Sequence, residues 1–209
     1  MTLFRRLFAR LFAPLLLVAA VFATSAATAQ TPAEDYIRSN VQRGLDILND
    51  SALGPDARRE QFRSFLESLT DFHRVAMFTL GPVERTASDA DKEAFATAFH
   101  AYAVAVYDTR LSHYNGQILK VTGSTEHARG DTVVHATLTD KNGGNPTAID
   151  FRVLGDNGQF QLMDASVEGI WLSIEERDQF VGFLGNHNND VKALTDHLNA
   201  LTAQMRGGR

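Results

Sequence analysis

The chain has no cysteine among its 209 residues. That excludes a thiol nucleophile, a redox pair, a zinc ribbon and any disulfide framework. Without disulfides, an exported domain must be held by packing alone. Tryptophan occurs once, at Trp171. Basic residues are also in deficit: 20 Lys and Arg against 25 Asp and Glu give a net charge of −5. Beyond residue 29 no apolar run approaches the roughly 20 residues needed to span a bilayer. No Walker loop, G-x-G-x-x-G, G-x-S-x-G elbow or H-E-x-x-H pair occurs.

The apolar run that does exist lies at the start. Arg5, Arg6 and Arg10 precede the stretch Leu11 to Phe22, and Ala27-Thr28-Ala29 offers a small-x-small cleavage site. This order is that of a secretory signal peptide, with cleavage expected before Gln30 and export to the periplasm. No cysteine follows the site, so a lipoprotein anchor is excluded. The expected division is 1–29 signal peptide, 30–205 a single domain and 206–209 a flexible tail. Removing the leader takes away three arginines and no acid, so the remaining 180 residues carry −8. That charge argues against nucleic acid as a partner. It also disfavours adhesion to anionic lipid surfaces.

Periodicity predicts helices first. Thr31-Pro32-Ala33-Glu34 is a capping-box start, followed by Ile37, Val41, Leu45 and Leu48 on one face. Gly54-Pro55 ends that helix, and a second carries Phe62, Phe65, Leu66 and Leu69. Asp71 caps a short third helix that Gly81-Pro82 stops. Ser88 opens a fourth, with Phe95, Phe99, Tyr102 and Val106 on a stripe. The period then falls to two. Ile118 to Thr122 reads as extended, Val134, Ala136 and Leu138 alternate with polar neighbours, and so do Ile149, Phe151 and Val153. Phe160 to Val167 is again extended, and Asn142-Gly143-Gly144 and Asp156-Asn157-Gly158 are hairpin signals. Ser173-Ile174-Glu175-Glu176 forms a second capping box before Phe180, Phe183 and Leu184. Val191, Leu194, Leu198 and Leu201 mark a last helix. The expected fold is α+β: an antiparallel meander covered by N-terminal and C-terminal helices, enclosing an apolar cavity.

Catalytic signals are weak. The seven histidines are scattered without ligand spacing, so neither a metal nor a cofactor is expected. His135 falls on the polar register of its strand and is expected to face solvent. Asp164 and Glu168 form a possible carboxylate pair, but a strand-end acid beside a tight turn more often bonds backbone amides. No catalytic residue is assigned.

Two segments carry a resemblance. One is "AMFTLGPVERTASDADKEAFATAFHAYAVAVYDTRLSHYNG", residues 76 to 116; the other is "AIDFRVLGDNGQFQLMDASVEGIWLSIEERDQF", residues 148 to 180. Their order and spacing resemble the MlaC, or toluene-tolerance, family of periplasmic phospholipid-binding proteins, and the similarity runs from about Ala33 to Leu201. The resemblance implies a monomeric carrier that shuttles phospholipid between an outer-membrane lipoprotein complex and an inner-membrane ABC transporter with a ring of substrate-binding subunits. It also implies acyl chains held between sheet and helices. A hopanoid-associated subgroup, with hopanoid or another hydrophobic lipid as cargo, is compatible with the same motifs. The chain departs from the family pattern at Trp171, where serine is usual, at Phe160, where tryptophan is common, and at His73, where aspartate is common.

Transfer energetics suit such a carrier. Each buried methylene is worth ~0.8 kcal/mol, so one acyl tail represents on the order of 10 kcal/mol. A shuttle must match what the bilayer offers without exceeding it, which an apolar pocket achieves. The candidate lipid contacts are Phe72, Met77, Leu80, Phe95, Phe99, Tyr102 and Val106 from the helical layer. From the sheet they are Val134, Leu138, Ile149, Phe151, Leu162, Val167, Ile170 and Trp171. For each, plain core packing is the alternative. Two other readings share the fold: a small isomerase-like or hydrolase-like pocket enzyme, which requires a buried acid or histidine facing the pocket, and a protein-binding adaptor, which requires a filled core.

Overall fold

The computed structural model describes residues 30–111, 114, 116–156 and 158–207. The signal segment 1–29 lies outside the described residues. Six helices and four strands follow the order read from the sequence, and a two-residue strand, Ile170–Trp171, is added before the fifth helix.

Helix α1, Pro32–Asn49, begins where expected: the Thr31 hydroxyl accepts from the Glu34 amide at 3.2 Å. Only that half of the capping box forms. The Glu34 side chain is buried and accepts instead from the Ser124 hydroxyl at 2.8 Å, tying the helix start to the sheet. Helix α2 spans Pro55–Leu69 and α3 spans Phe72–Thr79. Asp71 caps α3, accepting from the Arg74 amide at 3.0 Å. A 3-10 turn, Gly81–Arg85, follows at the predicted stop. Gly81 has φ +59°, and a Cβ there would sit 2.7 Å from Val181 Cγ2, so both backbone and neighbour demand glycine. Helix α4, Asp89–Leu111, is capped by Ser88 as read from the sequence, its hydroxyl accepting from the Asp91 amide at 3.1 Å.

Strands β1 (Ile118–Ala128), β2 (Asp131–Thr139), β3 (Thr147–Asp156), β4 (Gln159–Val167) and β5 (Ile170–Trp171) form one antiparallel sheet in sequential order. Gly143 closes the β2–β3 connection, its amide bonding the Asp140 carbonyl at 2.9 Å. The β3–β4 turn read at Asp156-Asn157-Gly158 contains Asn157, which lies outside the described residues. Between β4 and β5, Glu168 and Gly169 take φ +53° and +82°. Two successive positive φ values are what a type I′ hairpin requires.

Helices α5 (Leu172–Asn186) and α6 (Val191–Gly207) complete the fold. The segment expected as a tail, 206–209, lies partly in α6 and partly outside the described residues. The second capping box is not what starts α5. Helix α5 begins one residue before Ser173, its N-cap position is Trp171, and Trp171 offers no side-chain acceptor. The cap comes from across the hairpin: Asp164 on β4 accepts the Ser173 amide at 3.1 Å and the Ser173 hydroxyl as well.

The buried residues form two separate clusters. One is helical, built from α3, α4, α5 and α6 around Leu80, Phe95, Phe99, Phe180, Leu184 and Leu194. Phe180 stands edge-on to Phe95 and Phe99, with centroids 6.0 and 6.3 Å away, a favourable quadrupolar arrangement. The other lies between α1 and one face of the sheet, around Ile37, Val121, Val134 and Val153. Helix α1 thus takes the apolar register of the strands. The opposite face is left to α3 and α5.

Candidate functional site

Between that second face and the helices lies an open cavity of about 500 Å³. Its sheet wall follows one register. Asp131 pairs with Leu154 and Val133 with Arg152, and all four line the cavity. Two bulges add to this wall. On β1 the register steps from Glu126 to Ala128, leaving His127 as the extra residue; on β4 it steps from Leu162 to Asp164, leaving Met163 extra. His127, Met163 and Asp164 all face the cavity. A bulge is a recognised way to re-aim a side chain beside a site.

The opposite wall comes from α3 and the start of α5: Arg74, Val75 and Phe78, with Trp171, Ser173 and Ile174. Phe78 and Ile174 remain 42% and 47% exposed, so the cavity has an apolar lip open to solvent. Arg177 on α5 lies over the Phe78 ring, 4.9 Å from its centroid, and links the two helices at that lip.

The helical wall is thus apolar apart from Arg74 and Ser173, and the sheet wall mixes the apolar Val133, Leu154 and Met163 with charged groups. Arg152 donates to Asp131 through Nε at 3.0 Å and through an η nitrogen at 2.7 Å, a bidentate pair. The Arg152 guanidinium holds the Asp131 carboxyl below the usual carboxylate range, and Asp131 raises Arg152 in turn. Asp164 is committed to the α5 start and also accepts from the Ala165 amide at 2.8 Å.

Further along the same sheet face a polar ladder crosses four strands. Thr125 Oγ1 lies 2.9 Å from His135 Nε2, His135 Nδ1 lies 2.7 Å from Asp150 Oδ1, and the Ser166 hydroxyl donates to Asp150 Oδ2 at 3.1 Å. His135, expected to face solvent, keeps 41% of its side chain exposed and is bonded on both sides. The order hydroxyl–imidazole–carboxylate is that of a nucleophilic relay, but here each group sits mid-strand as one rung of a cross-strand ladder. Among the described residues no group of His, Asp or Glu is arranged to hold a metal ion.

The candidate lipid contacts fall in several places. Leu80, Phe95 and Phe99 are inside the helical cluster, and Phe72, Met77 and Tyr102 pack against it. Val106 is half-buried on α4. Val134, Phe151 and Leu162 belong to the cluster under α1, with Ile149 buried in the same register and Leu138 half-buried beside it. Val167 and Ile170 are 37% and 58% exposed. Trp171 is the member of the set that lines the cavity. The cavity residues the sequence reading did not select are Arg74, Val75, Phe78, Ser173 and Ile174 on the helices and, on the sheet, residues of the nominally polar register and the two bulges. A signal was present on the sheet: Val133 and Leu154 are too apolar for a solvated face, which marks a sheet covered on both sides. The bulges that turn His127 and Met163 inward left no comparable mark.

Comparison with known proteins gives the following. The family model described as MlaC protein matches residues 38–200. A solved structure of a phospholipid-binding protein from Ralstonia solanacearum, in complex with a phospholipid, superposes with a TM-score of 0.67. It is 21% identical, and the match covers 80% of this chain and 97% of that one, so the two share a fold.

Proposed function

The chain belongs to the MlaC family, and from that membership we propose that it is a periplasmic phospholipid carrier that performs no covalent chemistry. The observation that carries the reading is the open cavity between sheet and helices, to which both walls contribute apolar side chains: Val75, Phe78, Trp171 and Ile174 on one, Val133, Leu154 and Met163 on the other. A phospholipid bound to a protein of the same fold supports it. The segment 1–29 is proposed to direct export and to be removed before Gln30, leaving one lipid-binding domain. No described helix is long and apolar enough to cross a membrane.

Trp171, Phe78, Val75 and Ile174 are the side chains we assign to contact an acyl chain through this cavity. The remaining candidates are proposed to support its walls, with the half-buried ones available if the cargo reaches past them. An outer-membrane lipoprotein complex and an inner-membrane ABC transporter complex are the proposed partners, with the protein acting as a monomer between them.

Pocket enzymology draws less support. The cavity does hold acids, as an enzyme would require, but Asp131 is locked to Arg152 and kept ionised well below neutral pH, unsuited to proton transfer near pH 7. Asp164 caps a helix. The test is direct: purify the protein from cells, extract it with organic solvent and analyse the extract by mass spectrometry. Phospholipid in near-stoichiometric amount is expected. Absence of co-purifying lipid, together with failure to take lipid up from vesicles, sinks the carrier reading.

A further inference from the structure

Burying acyl tails needs no ionic groups, yet the cavity wall presents Arg74, Asp131, Arg152 and Asp164. We propose that this wall selects a zwitterionic phospholipid, with Arg74 facing the phosphate and the carboxylates of Asp131 and Asp164 facing the ammonium of the head group. The proposal rests on the phospholipid-carrier reading and adds a head-group class to it.

The charge count comes first. Among the lining residues two guanidinium groups and two carboxylates cancel when His127 is neutral, with Arg177 outside them, over the Phe78 ring at the lip. A net-anionic lipid would bring an uncompensated charge to a partly desolvated wall, which is costly; a zwitterion brings none. The layout agrees with the count. Arg152 lies between the two acids: it bonds Asp131 on β2 and pairs across β3–β4 with Asp164. The acids thus flank Arg152 on the sheet wall, and Arg74 stands on the opposite wall, on α3.

The donors and acceptors agree as well. Arg152 is already committed to a bidentate partner, whereas no carboxylate among the described residues pairs with Arg74. A planar, unpaired guanidinium beside a cavity matches a phosphodiester. Each ionised carboxylate offers about four acceptor sites. Asp131 uses two of them on Arg152, and Asp164 uses three on Ala165 and Ser173, so both retain capacity for an ammonium.

The test uses delipidated full-length mature protein mixed with vesicles of equimolar phosphatidylethanolamine and phosphatidylglycerol of identical tails, then re-isolated for mass spectrometry. Phosphatidylethanolamine is expected to be enriched about three- to fivefold, the size of a partly exposed ion pair. Asp131→Asn makes the site net positive and is expected to reverse the preference. Arg74→Gln, on an exposed helical surface, keeps the fold and is expected to cut phosphatidylglycerol uptake more than phosphatidylethanolamine uptake. Equal loading, a phosphatidylglycerol preference in the wild type, or an unchanged lipid ratio in Arg74→Gln overturns the head-group assignment and leaves the carrier reading standing. No uptake of either lipid overturns the carrier reading itself. Glycerophosphoethanolamine, the head group without tails, is expected not to displace bound lipid; displacement by it would overturn the lipid as the ligand.

Discussion

The Ser173 amide donates to Asp164 Oδ1 at 3.1 Å, and the Ser173 hydroxyl donates to the other oxygen of the same carboxylate. One acid at the end of β4 therefore caps the first turn of α5 and fixes the β4–β5 hairpin against it. Trp171 is held between these two anchors. Replacing Asp164 by alanine is expected to cost about 1–2 kcal/mol in urea unfolding, the usual worth of a helix cap. Asp164→Asn, which keeps an acceptor for the amide, should recover part of that loss. Equal stability of Asp164→Ala and wild type would show that α5 is held by packing alone.

Trp171 is the chain's sole tryptophan, and it lines the cavity. Its fluorescence therefore reports cavity occupancy without interference from another indole. Loading with lipid should shift its emission to shorter wavelength, because the ring exchanges water for hydrocarbon. Trp171→Ser should lower lipid retention while changing the unfolding midpoint little, since the residue is only half-buried. Emission that is identical in stripped and loaded protein would place the cargo elsewhere.

The Asp131–Arg152 pair makes a stability contribution with a defined sign. Arg152 depresses the Asp131 carboxyl below its ordinary value of 3.8 in the folded protein. A depressed acid stabilises the fold above its unfolded pKa, and that contribution is lost as pH falls through the folded pKa. Half of the Arg152 side chain is exposed, so the effect is about 0.2–1 kcal/mol, and salt weakens it. Unfolding measured from pH 6 down to pH 2 should show this increment disappear only below the ordinary carboxylate range. Asp131→Asn should lack that part of the acid dependence.

Gly81 opens the 3-10 turn and faces Val181 on α5, with φ +59° and no room for a methyl group. Gly81→Ala is expected to destabilise by more than about 1 kcal/mol, since both the backbone conformation and the contact with Val181 oppose it. A control at Gly182, where nothing lies within 4 Å of an added Cβ, should be neutral or slightly stabilising because the position is helical. Thermal unfolding of the two variants decides the matter.

Helix starts at Thr31, Asp71 and Ser88, the stop at Gly81-Pro82 and the change of period at Ile118 were all present in local sequence. Each is set by residues within a turn of one another, so the sequence alone determined the α+β order and the meander. It also determined which residues alternate along β2 and β3, because alternation is a property of neighbouring residues. Which register faces which layer was decided only by the tertiary structure. Helix α1, far away in sequence, covers Val134 and Val153, and that leaves Asp131, Val133, Arg152 and Leu154 to wall the cavity. The cap of α5 was decided in the same way: a Ser-x-x-Glu pattern signalled a box, but Asp164 reached Ser173 first through a tight hairpin. Local patterning fixes the period and the ends of elements, whereas the side on which they meet depends on contacts distant in the chain.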